Sequence, residues 1–377
     1  SLTQARFFGA YGNLNFNYKK KKWSMGISYG FNYNKNWNSN NYLREYPSNG
    51  ADTMRMYNGI ESFFTTPQRH YYRLKAAYRP DSISIIGIQY RGSIGQSLSR
   101  IENDNRITRN NQDFNHISAV TDGKGNSMNN SVNVNYTRDL DTLDSELFIA
   151  GQYSNYTRLS LDQINQIQRI PLDTQYNSYL NGSQSAINVI NGQIDFTKGF
   201  KNKMLFQAGA KNAFIMNNST ISFLEENDQG EWVKDSSFSN GYAYNENIFA
   251  FYTQVNWENE KWFAEAGVRA EWTTLQGFSK VDGSQILGRN YWHVFPTASL
   301  SYNILEDLET SISYTTSIER PSFGDLNPFV DFIDQYSTET GNPYLVPAYT
   351  HSAEWALTYM EMASLEFEFA RTYNHMD

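Results

Sequence analysis

The sequence contains no cysteine and no long hydrophobic run. The lack of cysteine excludes disulfide frameworks, thiolate metal sites and cysteine nucleophiles, and it is compatible with an oxidising periplasm. The longest unbroken hydrophobic segment runs only from Ile248 to Tyr252, whereas a membrane-spanning helix needs about 20 mainly apolar residues. The sequence therefore excludes a helical membrane protein.

Charge is scarce as well. Charged residues make up 19% of the 377 residues, and the formal net charge of −8 indicates no basic surface for nucleic acid. Disordered chains are rich in charge and poor in aromatic residues, but this chain contains 27 Tyr, 24 Phe and 8 Trp. Its length allows either two or three soluble domains of about 150 residues each or one large β-barrel.

Apolar and polar residues alternate with a period of two along much of the chain. Between Trp23 and Tyr33, every odd-numbered residue is apolar or aromatic and every even-numbered residue is small or polar. A similar alternation runs from Trp262 to Trp272. Side chains alternate between the two faces of a strand, so each segment has one apolar face and one polar face. The pattern predicts about fourteen strands in seven hairpins.

The connections between these predicted strands fall into two classes. Short turns lie near residues 19–22, 79–82, 139–145, 199–202, 258–261, 305–307 and 360–362. Long polar stretches, which we expect to be loops, cover residues 38–66, 100–126, 160–185, 224–246, 277–290 and 320–348. Short turns at one end of the strands and long loops at the other are typical of outer-membrane barrels.

Aromatic residues flank the short turns and recur about ten residues further along the strands. Rings with a polar tip favour the level of the lipid headgroups. Ten strand residues cover about 25 Å of membrane thickness at a tilt near 40°. The residues expected in these two girdles are Tyr18, Trp23, Tyr33, Trp257, Trp262, Trp272 and Tyr359.

These patterns predict an all-β fold, a transmembrane antiparallel β-barrel over residues 1–377, in the outer membrane of a Gram-negative bacterium. No signal peptide or soluble domain boundary is recognisable, and residues 371–377 do not resemble the aromatic end of a barrel. We therefore expect part of a larger barrel. A soluble protein of several sheets, with the aromatic residues in its core, is the alternative.

Several short motifs follow one another between Trp292 and Tyr359. They include Phe295-Pro296-Thr297, Arg320-Pro321-Ser322-Phe323, Leu326-Asn327-Pro328-Phe329 and Gly341-Asn342-Pro343-Tyr344-Leu345-Val346-Pro347. In order and spacing, this stretch resembles the later barrel half of TonB-dependent outer-membrane receptors. The residues that match the family pattern are Arg320, Pro321, Leu326, Asn327, Pro328, Gly341, Asn342, Pro343 and Glu354.

The resemblance implies import of a large or scarce nutrient, with a plug domain of the same protein occluding the barrel and inner-membrane energy-coupling machinery opening it. The resemblance also implies a barrel of about 22 strands, larger than the fourteen predicted in this chain. Nothing in this chain matches the plug or its coupling box. The motif also has a purely structural interpretation, because proline lacks an N–H donor and stands where a strand ladder has stopped. On that interpretation the motif fixes the shape of a loop without any ligand.

Two groups of residues are candidates for binding. Charged residues on the polar faces of strands are expected to face the lumen, where they are solvated or contact the plug: Arg73, Lys75, Glu265, Arg269, Glu271, Glu366 and Glu368. Aromatic residues in the long loops are expected to stack on a ligand or to pack the loops: Tyr42, Tyr46, Trp232, Phe329, Phe332 and Tyr336.

Other functions have weaker support in the sequence. No Gly-x-Ser-x-Gly motif is present and the histidines are scattered, so no enzyme, metal site or cofactor is predicted. Two alternatives to an importer stay open: a passive channel, and a scaffold that docks surface lipoproteins or other outer-membrane proteins. Outer-membrane lipid is the expected partner in every case, nucleic acid in none, and the substrate is not indicated.

Overall fold

A computed structural model describes residues 2–4, 8–46, 54–110, 112–170, 173–334, 337–360 and 362–374. Fourteen main strands form the sheet: β2 (Phe8–Lys20), β3 (Trp23–Tyr33), β6 (Gln68–Tyr78), β7 (Ser84–Arg109), β8 (Gln112–Asp139), β9 (Glu146–Ile170), β10 (Asp173–Gly199), β11 (Met204–Glu226), β13 (Asn240–Glu258), β14 (Trp262–Ser279), β15 (Gln285–Leu305), β16 (Leu308–Glu319), β19 (Ala348–Tyr359) and β20 (Ala363–Tyr373). The remaining strands are β1 (Leu2–Gln4), β4 (Asn36–Tyr46), β5 (Met54–Thr65), β12 (Trp232–Lys234), β17 (Val330–Asp334) and β18 (Ser337–Thr340).

The main strands pair antiparallel with their neighbours in chain order, from β2 through to β20. We call the ends of the strands at the short turns their lower ends and the opposite ends their upper ends. The β4–β5 hairpin extends β3 and β6 at their upper ends, and β5 pairs with the upper end of β7. Among the described residues, no ladder joins β20 to β1 or β2. The same part of the chain contains no helix with the length and apolar character to span a bilayer.

The fold confirms the fourteen predicted strands and the seven short turns. It also corrects the prediction of long loops at residues 100–126 and 160–185, where β7, β8, β9 and β10 continue almost to their tips. Residues 38–66 likewise form most of the β4–β5 hairpin, and residues 277–290 belong largely to β14 and β15. These stretches are polar because they are strands surrounded by water, so the apolar stripe that marks a lipid-facing strand is missing there.

The polarity of the two faces of the sheet is reversed between the lower and the upper parts of the strands. On β7 the outer face carries Ile86, Ile88, Ile94 and Leu98, all exposed, and then the charged Arg100, Glu102 and Asp104 further up. On the inner face the upper part instead buries apolar groups: Ile107 on β7 is 0% exposed and lies in register with Met56 of β5. The lower parts of the strands are therefore suited to lipid outside and water inside, and the upper parts are suited to water outside.

Candidate functional site

The candidate site is the inner wall of β13–β15 together with the mouth loop, residues 320–347, which folds back onto that wall. The register places Glu265, Arg269 and Glu271 on the inner face of β14, because Trp262, Trp272 and their in-phase neighbours occupy the outer face. The three charged residues thus share the face of β14 opposite its exposed apolar side chains, and their exposure to a lumen stays a prediction.

A polar chain runs up this wall from β10 to β14. Tyr252 donates a hydrogen bond to the Asp195 carboxylate, and the Arg269 guanidinium lies 5.3 Å from the centre of the Tyr252 ring. Arg269 in turn donates to Glu271 at 2.6 Å. Because an arginine over an aromatic ring and beside a carboxylate is doubly stabilised, the chain holds Glu271 in a fixed position.

Arg320, the first residue of the mouth loop, attaches the loop to this chain. Its guanidinium donates to Glu271 at 2.5 Å and approaches Glu246 of β13 to 3.8 Å. The two carboxylates are 8% and 10% exposed. Glu246 lies above the membrane-spanning part of β13, in register with Leu275, and burial raises its pKa although the Arg320 charge opposes that shift. Removal of Arg320 would leave the buried Glu246 without its cation and Glu271 with Arg269 alone.

An apolar cluster fixes the loop a few residues further on. Leu326 is 2% exposed and packs with Tyr242, Tyr244, Leu275 and Leu287 from the upper inner wall. Phe323 and Phe329 of the loop lie against the same cluster, with the Phe323 ring centre 5.2 Å from that of Tyr242. Burial among these groups raises the pKa of Tyr242, which lies above the membrane, to about 12.

The turn residues of the motif tie the two arms of the loop together. The amide of Gly341 donates to the carbonyl of Asn327 at 2.8 Å, and the amide of Asn342 donates to the carbonyl of Asp325 at 2.6 Å. A Cβ atom on Gly341 would lie 2.5–2.6 Å from three backbone carbonyl oxygens, those of Gly324, Asp325 and Asn327. Glycine is required at this position because the two arms approach too closely for any side chain.

Arg289 of β15 fastens the returning arm. Its guanidinium donates to the carbonyl of Pro343 at 2.7 Å and to the carbonyl of Leu345. Next to it, Tyr349 stacks on His293 with ring centres 3.9 Å apart. The loop is therefore held at its start by Arg320, in its middle by Leu326 and at its end by Arg289.

The backbone ladder between β15 and β16 stops below the upper ends of these strands. β15 pairs with β16 only from Ala298 downwards, and Pro296 stands just above that point. Proline has no N–H to donate, and the carbonyl of Pro296 accepts instead from the Thr316 hydroxyl at 3.0 Å. Above Pro296, no described ladder pairs β15 with β16.

Comparison with known proteins gives the family. The profile of the outer membrane protein beta-barrel family matches residues 138–377. The chain belongs to this family. Its localisation is therefore the outer membrane, and its fold is a membrane-spanning barrel. No curated protein matches the chain.

Two solved receptors are similar in fold to this member of the outer membrane beta-barrel family. The ferric citrate transporter FecA, unliganded, aligns with a TM-score of 0.50 and 10% identity over 97% of this chain and 51% of its own. The alcaligin outer-membrane receptor FauA from Bordetella pertussis gives 0.47 and 12% over 98% and 52%. The chain spans about half the length of the solved receptors it matches. At this identity, the similarity concerns the fold alone.

The girdle residues of this family member form two levels. Trp23 and Tyr78 contact each other near the short turns at 4.5 Å between ring centres, and Trp262 and Tyr302 do so at 4.3 Å. Tyr18, Trp257 and Tyr359 are exposed at the same end of their strands. At the other end, Trp272 stacks on Trp292 at 5.8 Å and Tyr33 lies 6.1 Å from Phe8.

The remaining candidates are spread over the wall. Arg73 and Lys75 lie on the inner face of β6, far along the sheet from the mouth loop. Glu354 of β19 lies in register with Glu368 of β20, one step from Glu366. Pro321, Pro328 and Pro343 lie between β16 and β19, where that ladder has stopped.

The aromatic loop candidates are only partly described. Trp232 is on β12, 37% exposed, and Phe329 packs against the apolar cluster, so its ring serves the packing of the loop. The side chains of Tyr42, Tyr46 and Phe332, and all of Tyr336, lie outside the described residues. Within the described ranges, no group of His, Asp or Glu side chains has the arrangement of a metal site.

Sequence reasoning missed Glu246, Arg289 and Arg91. Glu246 and Arg289 were assigned to loops, although Leu275 and Leu287 already show that apolar residues have moved to the inner face above Trp272. Arg91 lies on β7, where aliphatic residues on both faces obscure the alternation. Its inner position becomes evident only from its register with Arg73.

Proposed function

We propose that this chain is the barrel of a TonB-dependent receptor that imports a solute too large or too scarce for a passive pore. The observation that carries the proposal is the mouth loop, which is fixed over the inner wall by Arg320, Leu326 and Arg289. A passive pore needs an open mouth, whereas a receptor needs a structured surface above its lumen on which a ligand can be recognised.

The proposed partners follow from the same idea. A plug domain of the same protein occludes the lumen and contacts its charged wall, and inner-membrane machinery pulls on the plug. Among the described ladders, β20 pairs only with β19, and the edge of β2 away from β3 pairs only with the three residues of β1. These largely unpaired edges support further strands in the whole protein, because an unpaired strand edge in lipid costs several kcal/mol per backbone group. A scaffold role with surface lipoproteins has no comparable observation behind it.

The test uses the full-length gene product in its own membrane. Defined medium is incubated with wild-type cells, with cells lacking the gene and with complemented cells, and the loss of each solute is followed by mass spectrometry. We expect at least one solute to be depleted only by cells that carry the gene, and an uncoupler of the proton-motive force to abolish its depletion.

The same protein is then purified and inserted into planar bilayers. An occluded receptor gives no stable conductance, whereas a passive channel gives large and stable steps. Stable conductance of the full-length protein, or depletion that is insensitive to the uncoupler, would overturn the proposal.

A further inference from the structure

The inner wall far from the mouth loop carries a cationic arc, defined by Arg69, Arg73 and Lys75 on β6 and Arg91 on β7. The register places Arg73 directly opposite Arg91 on neighbouring strands. Residues opposed in this way have Cβ atoms about 5 Å apart, and like charges so placed destabilise the pair. A repulsive pair in the middle of a ladder needs an explanation.

Among the described residues, no acidic side chain forms an ion pair with Arg73 or Arg91. The strands β2, β3 and β6 contain no Asp or Glu at all, and the two acids of β7, Glu102 and Asp104, point to the outer face. Within the described residues, no carboxylate lies within 4 Å of Arg73 or Arg91. Elsewhere on the sheet, arginines form ion pairs: the Arg100 guanidinium donates hydrogen bonds to both Glu102 and Asp122.

Negatively charged residues lie on another part of the inner wall. Glu309, Glu319, Glu354, Glu366 and Glu368 lie on the inner faces of β16, β19 and β20, and Glu354 is in register with Glu368. The inner wall is thus cationic along β6–β7 and anionic along β16–β20. This separation leaves the cationic arc available to a partner that is not part of these strands.

Two members of the arc, Arg73 and Arg91, line a cavity of about 630 Å³ on the inner face of the sheet. Around Arg73 and Arg91, its walls supply Tyr11, Tyr71, Asn129 and Gln152, which are neutral hydrogen-bonding groups. Gly26 supplies space for the Lys75 side chain, whose Cε would lie 2.3 Å from a Cβ at that position. Two guanidinium groups with neutral donors around them are suited to a carboxylate or phosphate, which can accept from both.

We propose that Arg73 and Arg91 form a binding site for a carboxylate or phosphate group of the solute that passes through the lumen. The site rests on the proposed import function, since the solute has to reach the lumen wall. It gives that function a substrate class: an anionic solute, held by paired arginines that otherwise repel each other.

The binding test uses purified protein in detergent, titrated calorimetrically with inorganic pyrophosphate and with tricarballylate at low salt. We expect wild-type protein to bind at least one probe about tenfold more tightly than the variant R73Q/R91Q, with an affinity that falls as salt rises. The variant R73K/R91K keeps the charge and should retain most of the binding. Arg100→Gln is the matched control, because that arginine lies on the outer face and should leave the affinity unchanged.

A second measurement separates binding from folding. If Arg73 and Arg91 repel each other, Arg73→Gln alone raises the melting temperature of the ligand-free protein, by about 1–3 °C. Equal affinities of wild type and R73Q/R91Q overturn the site, and so does a lower melting temperature of Arg73→Gln. Because these assays need no energised membrane, the site can fail while solute depletion by cells persists, and the two proposals are tested separately.

Discussion

At the scale of single residues, Arg320 shows how one side chain can decide the position of a long segment. Its guanidinium joins the start of the mouth loop to two strands at once, through Glu271 and Glu246. Both carboxylates are buried, so the ion pairs are protected from solvent screening. Arg320 is also part of the sequence motif, and its role there is to attach the mouth loop to the inner wall.

Arg320→Gln is expected to release the loop. The substitution leaves two buried carboxyl groups close together, which costs about 1–3 kcal/mol of loop docking. Limited chymotrypsin digestion of protein in liposomes checks this, because Phe323 and Phe329, which pack against the apolar cluster, become cleavable when the loop detaches. Arg100→Gln, which also removes an ion-paired arginine but on the outer face, should leave the digestion pattern unchanged. Equal protection of Arg320→Gln and wild type would contradict the prediction.

Gly341 and Gly324 offer a matched comparison within the same loop. A methyl group on Gly341 would collide with three backbone carbonyls, whereas the nearest atom to a methyl on Gly324 is 3.6 Å away. Gly341→Ala should therefore raise the rate of loop cleavage several-fold, and Gly324→Ala should leave it near the wild-type rate. Similar cleavage of both variants would show that crowding at Gly341 does not hold the loop.

At the scale of elements, the strands in the membrane could be predicted from the sequence, but their upper continuations could not. Between Trp23 and Tyr33 one face of the strand meets lipid and the other meets water, so apolar and polar residues alternate clearly in the sequence. Above Leu98 the outer face of β7 meets water, and residues such as Arg100 and Glu102 remove the apolar stripe. The positions of Glu246 and Arg289 were unpredictable for the same reason, since both belong to strands that looked like loops.

The contribution of the turn between β8 and β9 to the stability of the fold depends on pH in a defined direction. Asp141 accepts from Lys198 of β10 at 2.6 Å and from the amide of Leu143 at 2.7 Å. The Lys198 contact and the amide hydrogen bonds hold the pKa of Asp141 well below its usual range. A carboxyl whose pKa is lowered by folding stabilises the fold above its unfolded pKa of about 3.9 and loses this contribution as the pH falls through the folded value.

Asp141→Asn should thus lower the melting temperature at pH 7, and the difference from wild type should narrow as the pH falls below about 4. Thermal unfolding followed by circular dichroism measures both values. Asp144→Asn is the control, because that residue has a φ of 60°, which asparagine tolerates. A difference for Asp141→Asn that stays constant from pH 7 down to the acid limit would contradict the assignment.

At the scale of the whole molecule, membrane position depends on which face of a strand carries charge. Val268 of β14 faces outwards, 41% exposed, midway between Trp262 and Trp272, and Gln254 of β13, in register with Gly267, lies on the inner face. Val268→Arg should destabilise folding into lipid by about 2–4 kcal/mol, and Gln254→Arg by much less. Urea titration of protein folded in liposomes measures both. An equal cost at the two positions would mean that the assignment of faces is wrong.

The attachment of the mouth loop also has a consequence for the order of assembly. Arg320 binds Glu271, 49 residues earlier in the chain, and Arg289 binds the loop end 56 residues later. Contacts between such distant segments form only after the strands that supply them are in place. The upper ends of β13, β14 and β15 therefore have to reach the cell surface before the loop can dock. Protection of the loop from protease on intact cells would then mark the moment when this part of the wall is complete.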